Sequence, residues 1–295
     1  MIIANPIYDT VFKYMMSDSK VAKTFLSAII GEKIVELEFT STEYTLKPDV
    51  EKSQINRTLE QITVCRFDFA AKIETETGDY KTVIIELQKA KYATDIMRFR
   101  RYLGLTYQNA ENTYDVHRVK ARQIYCIYFL NYEIGLSDSP VIKVDYKASD
   151  LTTGDVLDRK NEFIESLTHK TWIVQVRQLK ARRRSELENL LSIFDQDNIS
   201  NDKHILNVDE NQFSEEYRLI IRKLREACES HKVRCEMQME DDYINELLIK
   251  DEIIAEKDKS LAEKDKSLAE KDKENEILKN ELEKLKRQFI SQSKK

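Results

Sequence analysis

Residues 64–90 of this 295-residue chain read VCRFDFAAKIETETGDYKTVIIELQKA. Two runs rich in Val, Ile and Phe flank the polar segment ETETGDY, in which Gly78 can adopt the positive φ that a tight turn requires. The pattern predicts a β-hairpin. If the hairpin folds about Thr77, the numbers of paired residues sum to 154, so Asp68 stands directly opposite Glu86 on the neighbouring strand.

The segments around this hairpin alternate between helical and extended patterns. Apolar residues recur at helical spacing over residues 8–30, and Gly31 is expected to end that helical stretch. Helical character returns over residues 92–107, and residues 122–134 are nearly continuously apolar, as a buried central strand should be. The order helix, strands, helix, strand predicts a small α/β sandwich.

The rest of the chain predicts a helical extension and then a heptad helix. A strand candidate and two amphipathic helices precede three seven-residue units, IIAEKDK, SLAEKDK and SLAEKDK, which lead into ENEILKNELEKLKRQFI. We expect a core over residues 1–150, a mixed and then helical extension over 151–240, and a charged heptad-repeat helix over 241–295.

The heptad helix has an incomplete apolar seam. Its first seam position holds Ile254, Leu261, Leu268, Asn275, Leu282 and Phe289, and the position three residues later holds Lys257, Lys264, Lys271, Leu278 and Leu285. Because both positions are apolar only near the end, the pattern favours a long solvated helix over a strong coiled coil. A seam Asn favours a parallel dimer in register, so we expect a homo-oligomer.

Composition limits the class of protein. Charged residues make up 34% of the chain, yet 48 basic and 53 acidic side chains leave a net charge of only −5, so any basic surface for nucleic acid must be local. The cysteines form no C-x-x-C pair, which fits a reducing cytoplasm. No apolar run approaches the roughly 20 residues of a membrane span. The sequence contains no glycine-rich phosphate loop, so we expect no nucleotide cofactor.

Two acids opposite one another in an apolar hairpin require an explanation. Residues two apart on a strand share a face, so Glu86 and Gln88 point the same way, whereas Leu87 points into the opposite layer. Paired like charges destabilise a hairpin unless they are neutralised, and a divalent cation can do so. Alternatively, one acid faces solvent or pairs with Arg66 or Lys72.

The arrangement of Asp68, a short hairpin and then residues 86–88 (ELQ) resembles the active site of the PD-(D/E)XK nuclease superfamily. It is most similar to the recombination-promoting nuclease and putative transposase branch, in which glutamine often replaces the superfamily's lysine. The resemblance implies a restriction-endonuclease-like core, in which a mixed central sheet is flanked by helices.

Three flanking features agree with that branch. Residues 9–13 (DTVFK) resemble its opening D-x-x-F-K element, Arg98 and Tyr102 match the R-x-x-x-Y spacing of its next helix, and residues 122–130 resemble its following strand. The resemblance covers residues 5–135 well and extends loosely to about residue 240.

The resemblance also implies roles for individual residues. Asp68 and Glu86, with the backbone carbonyl of Leu87, would hold Mg²⁺ or Mn²⁺, and the amide of Gln88 would orient the attacking water. The amide carries no charge, so a lysine must replace the missing cation.

Lys13, delivered by the first helix, is our preferred replacement for the motif lysine; Lys89 and Lys91 are alternatives. Arg98 and Tyr102 would contact phosphate. Alternatively, Arg98, Arg100 and Arg101 form the outer face of a packed helix.

The expected activity is therefore Mg²⁺-dependent hydrolysis of DNA phosphodiesters with little sequence specificity. The resemblance suggests a role in recombination or mobile-element biology. The alternative is a weak or inactive oligomeric DNA-binding scaffold that keeps the nuclease fold. Gln88 and the long helical tail favour that alternative.

Three other features have simpler explanations. Pro48-Asp49 is interpreted as a turn, not as the superfamily's namesake motif. The basic cluster within residues 177–184 either contacts a DNA backbone or begins a solvated helix. Cys228, His231 and Cys235 share a helical face, and packing explains them better than a metal site does.

Overall fold

The computed structural model describes residues 1–40, 43–46, 63–66, 68–88, 95–108, 114–115, 120–159, 161–179 and 185–292. The helices are α1 (Asp9–Met16), α2 (Ser19–Ile30), α3 (Asp95–Gln108), α4 (Glu162–Ser166), α5 (Glu186–Leu191), α6 (Arg218–Glu229) and α7 (His231–Gln292). The strands are β1 (Ile2–Ala4), β2 (Ile34–Phe39), β3 (Glu43–Leu46), β4 (Thr63–Arg66), β5 (Phe69–Thr75), β6 (Tyr80–Gln88), β7 (Tyr114–Asp115), β8 (Lys120–Ala121), β9 (Gln123–Leu130), β10 (Val141–Val144), β11 (Ala148–Ser149), β12 (Val156–Leu157), β13 (Lys170–Gln175) and β14 (Ile205–Asn207).

A mixed six-stranded sheet in the order β10-β13-β9-β6-β5-β2 organises the fold. The central strands β6, β9 and β13 run parallel, whereas β5, β2 and β10 pair antiparallel with their neighbours. The predicted α/β class is therefore confirmed. The predicted strand over residues 122–134 is β9, which lies between two parallel neighbours and is almost entirely buried, as its apolar run requires.

The two faces of this sheet are covered differently. Odd-numbered residues of β6, such as Val83 and Ile85, join a large core with α1, α2 and α6. Even-numbered residues face the other way, where Ile84 packs with Cys126 in a small cluster against Tyr102 and Leu103 of α3. Because side chains alternate along a strand, this division places Glu86 and Gln88 on the face beneath α3.

The predicted helical stretch over residues 8–30 is two helices. The carboxylate of Asp18 accepts hydrogen bonds from the backbone N–H groups of Lys20 and Val21, which caps α2 and separates it from α1. Gly31 ends α2 as predicted, in the left-handed conformation with φ of 76°. The apolar spacing runs through the break, which is why periodicity alone does not reveal it.

The chain divides into two compact units, Met1–Gln238 and Met239–Lys295, and α7 begins in the first and continues through the second. The first unit extends well past the expected boundary at residue 150. The reason is that β13, which lies beyond that boundary, is inserted between β9 and β10 in the same sheet. Among the described residues, no helix is long and apolar enough to cross a membrane.

Candidate functional site

The register of the β5–β6 hairpin is the one that the sequence predicts. Phe69 pairs with Ile85 and Glu74 with Tyr80, so the numbers of paired residues sum to 154 throughout. Gly78 lies in the connecting turn with φ of 74°, a conformation that glycine adopts without strain. Position 68 therefore falls opposite Glu86 when the ladder is continued by one residue.

Asp68 itself lies just outside the ladder, at a bend one residue before β5 begins. Its carboxylate Oδ2 accepts a hydrogen bond of 2.5 Å from the backbone N–H of Leu87. The side chain thus occupies the place that a backbone carbonyl would take if β5 continued. In a strand the N–H and C=O of one residue point to the same neighbour, so the Leu87 carbonyl lies along this same edge of β6.

Helix α1 brings two further charged groups to Asp68. Phe12 is fully buried and its ring lies 5.8 Å from that of Phe129 on β9, which anchors the helix over the central strands. Asp9 and Lys13 are one helical turn apart, and Lys13 Nζ donates a 2.5 Å hydrogen bond to Asp9 Oδ2. The D-x-x-F-K pattern therefore combines one buried anchor with two charged residues that reach the end of the sheet.

The carboxyl groups of Asp9 and Asp68 lie close together and form an acidic pair. Burial, followed by the negative charge of Asp9, raises the pKa of Asp68 to about 8, while the Leu87 N–H and the charge of Lys13 oppose that rise. The side chains of Asp9 and Lys13 are 39% and 34% exposed, so the pair is open to solvent on one side. Such an acid pair favours a proton or a cation between its members.

Glu86 and Gln88 are both buried at the carboxyl end of β6. On the adjacent strand Glu86 pairs with Tyr128. Burial, with a smaller contribution from the charge of Glu86, raises the pKa of the Cys126 thiol to about 12. Burial and then Cys126 raise the pKa of the Tyr128 phenol, and the charge of Glu86 adds to that rise. The backbone carbonyl of Gln88 accepts a hydrogen bond from the N–H of Asn131. Glu86 therefore lies in a polar strip beneath α3.

The remaining predicted site residues have different outcomes. Tyr102 is partly buried and packs against the small apolar cluster beneath α3. The structure describes the backbone of Arg98 but not its side chain. The following predicted features lie wholly outside the described residues: Lys89, Lys91, Pro48-Asp49 and residues 180–184.

The proposed helical face of Cys228, His231 and Cys235 is interrupted. Helix α6 ends at Glu229 and α7 begins at His231, with Ser230 in an extended conformation between them, so Cys228 does not continue the face of the other two. Within the described part of the chain, no group of three or more His, Cys, Asp or Glu side chains is arranged to hold a metal ion. Cys228 packs against the large core, whereas His231 and Cys235 are exposed, so packing accounts for only the first of the three.

Asp9 is the residue whose contribution sequence reasoning missed. The sequence placed it in a family-like element without a chemical role, whereas the structure places its carboxyl against Asp68. The available signal was its position four residues before Lys13, which puts both groups on one helical face. Cys126 and Tyr128 were also missed, because a nearly apolar strand gives no sign of an acid beside it.

Searches of protein families, of curated proteins and of solved structures return no match to this chain.

Proposed function

We propose that this chain is a metal-dependent nuclease that hydrolyses DNA phosphodiesters, with its active centre at the carboxyl end of β6. The observation that carries the proposal is the Asp68 carboxylate, which accepts the Leu87 N–H between Glu86 and Gln88 and lies against Asp9 and Lys13. Asp68 therefore joins α1 to the carboxyl end of β6. The mixed sheet with flanking helices agrees with a restriction-endonuclease-like core.

The groups at this position suit Mg²⁺ or Mn²⁺. Magnesium is commonly held by one or two carboxylates, with waters and substrate phosphates completing its shell, so a cluster of three protein acids is not required. Asp68 and Glu86 would hold the ion with the Leu87 carbonyl, and Asp9 adds a carboxyl that the sequence did not assign. A bound divalent ion would supply positive charge at the phosphate and acidify water.

Lys13 and Gln88 would together perform the two functions of the lysine in the superfamily's motif. Lys13 places a full positive charge beside Asp9 and Asp68, where it can stabilise negative charge that develops on the scissile phosphate. Gln88 shares the face of Glu86 and offers an amide that both donates to and accepts from water, which suits it to orient the attacking water. Neither residue alone provides both charge and orientation.

Supercoiled plasmid is the substrate that tests this proposal most simply, because a nuclease that reads backbone rather than sequence nicks any plasmid. The wild-type chain should convert it to the nicked form in Mg²⁺ or Mn²⁺ and leave it intact in a chelator. Asp68→Asn and Glu86→Gln should each reduce nicking at least about 100-fold, because each removes a charge and keeps the shape of the side chain. Glu74→Gln, an equally conservative change at the far end of the same hairpin, should cut as the wild type does.

Equal cutting by the wild type, Asp68→Asn and Glu86→Gln would show that the site assignment is wrong. A wild-type chain that binds DNA but cuts it in neither metal at any ionic strength would instead support the inactive oligomeric scaffold. Melting temperatures of all variants, measured in the same buffers, distinguish lost chemistry from lost folding.

A further inference from the structure

The second unit of the chain exposes an apolar stripe along α7. The described stripe residues Ile254, Leu261, Leu268, Leu278 and Leu282 have exposed fractions of 55%, 57%, 58%, 61% and 54%. They recur at seven-residue intervals, with Leu278 at the second seam position. Exposed leucines that repeat at this spacing on a continuous helix are typical of a contact surface for another helix.

Only the last part of the stripe is fit for helix pairing. In the heptads that begin at Ile254, Leu261 and Leu268, the second seam position is lysine. A lysine there would be buried without a partner of opposite charge, which is costly. From Asn275 onward both seam positions of the sequence are apolar apart from Asn275 itself, so the pattern favours residues 275–289 as the segment that pairs.

We propose that residues 275–289 pair with the same segment of a second copy of this chain, parallel and in register. The argument for a second copy is charge complementarity. The positions that flank the seam on one side are Glu274 and Glu281, and those on the other side are Lys279 and Lys286. In a parallel dimer each of these glutamates faces the lysine five residues later on the other chain.

An antiparallel dimer of the same segment is disfavoured by these charges. Reversal of one helix places glutamate flanks against glutamate flanks and lysine flanks against lysine flanks, and both contacts are repulsive. Asn275 also favours the parallel dimer, because an asparagine at the first seam position can hydrogen-bond its counterpart when the two helices are parallel and in register. This inference does not rest on the proposed nuclease activity.

Disulfide trapping tests orientation and register together. In the full-length chain with the exposed Cys235 replaced by serine, Asn275→Cys should cross-link to itself under mild oxidation, because equal seam positions face each other. Asn280→Cys, on the outward side of the same heptad, is the matched control and should cross-link at least tenfold more slowly. Equal rates for the two variants, or no cross-link at Asn275→Cys, would overturn the parallel arrangement.

Solution mass tests the surface itself. The wild-type chain should approach twice its monomer mass as its concentration rises, and Leu278→Asp with Leu282→Asp should stay monomeric. Ile277→Asp with Asn280→Asp adds the same charge to outward positions and should dimerise as the wild type does. A wild type that is monomeric at every concentration, or a Leu278→Asp, Leu282→Asp variant that still dimerises, would overturn the proposal.

A charge exchange tests the flanking pairs. Chains with Glu274→Lys and Glu281→Lys, or with Lys279→Glu and Lys286→Glu, should each dimerise more weakly than the wild type, because like charges then face each other. Mixing the two variants should restore dimers that contain one chain of each kind. If the mixture stays as weakly associated as its components, the proposed pairing of flanks is wrong.

Discussion

Asp68 and Asp9 place two carboxyl groups against each other at a position where the fold could have used a neutral residue. Burial and the negative charge of Asp9 favour the protonated form of Asp68, whereas the Leu87 N–H and Lys13 favour its ionised form. Acid pairs of this kind are costly to keep, and strongly shifted carboxyl pKa values concentrate at functional sites. The cost itself can be measured.

The metal-free chain should lose stability as the pH rises from about 4 to about 8. Over this range the folded state keeps a proton on Asp68, whose pKa is raised to about 8, whereas the unfolded state releases it near the ordinary value of 3.8. The folded state therefore binds more protons, and stability falls with pH until the folded pKa is passed. Asp68→Asn has no such proton, so its melting temperature should fall less between pH 5 and pH 8 in a chelator.

The comparison between the two chains at each pH isolates the effect of this site, because titrating groups away from Asp68 contribute equally to both. Parallel curves for the wild type and Asp68→Asn would contradict the raised pKa.

Lys13 should be required for turnover. Lys13→Met removes the cation beside Asp9 and Asp68, so cleavage should fall by about 100-fold or more. Because Lys13 lowers the pKa of Asp68, its loss should also move the acidic limb of the pH–rate profile toward higher pH. Lys13→Arg should keep a larger share of the activity than Lys13→Met does.

Lys20→Met, at the exposed start of α2, is the matched control for this experiment. If Lys13→Met cuts as fast as Lys20→Met, the cation of the active centre is another residue.

The element that places Asp9 and Lys13 is α1, whose first turn has no side-chain cap. Next to Asp9, the hydroxyl of Thr10 donates a 2.5 Å hydrogen bond to Glu236, on the second turn of α7. This contact ties the start of α1 to a residue 226 positions away. It is well placed to hold the first turn of α1 in position beside Asp68.

Thr10→Val should therefore weaken catalysis more than folding. Loss of the hydrogen bond is expected to cost about 1 kcal/mol of stability, while a small displacement of Asp9 can lower the turnover number by up to about 100-fold with little change in KM. Glu236→Gln keeps an acceptor and should retain most of the turnover that Glu236→Ala loses. Lys232→Gln, which removes only the 3.8 Å ion pair with Glu236, is the control.

A Thr10→Val chain that loses stability but keeps its turnover number would limit this contact to a structural role.

At the level of elements, the sequence predicts what is local. Alternation and a short turn determine the β5–β6 register, and a glycine marks the end of α2. The pairing of Asp9 with Asp68 joins residues 59 positions apart, so no spacing rule contains it. The insertion of β13 between β9 and β10 likewise depends on which apolar strand packs best in three dimensions, and periodicity along the chain does not encode that choice.

For the whole molecule, the division near residue 238 predicts that the first unit folds without the heptad helix. The large core draws its last members, Val233 and Met237, from the start of α7, and nearly all described side chains after residue 248 are exposed. A chain that ends after residue 248 should therefore melt cooperatively, within a few degrees of the full-length protein. Its near-ultraviolet circular dichroism should be unchanged, whereas its far-ultraviolet circular dichroism should show less helix.

A non-cooperative transition in that shortened chain would show that the second unit contributes to the core. If the shortened chain melts normally, its nicking activity would show whether catalysis belongs to the first unit alone.

The most direct test of the central claim is the position of a divalent ion in a crystal of this chain grown or soaked with Mn²⁺ and located by anomalous scattering. The proposal predicts a peak within about 2.5 Å of carboxylate oxygens of Asp68 and Glu86 and of the Leu87 carbonyl oxygen. The same peak should disappear in Asp68→Asn. An ion that touches neither Asp68 nor Glu86, or crystals that bind no ion at the carboxyl end of β6, would contradict the assignment of this site.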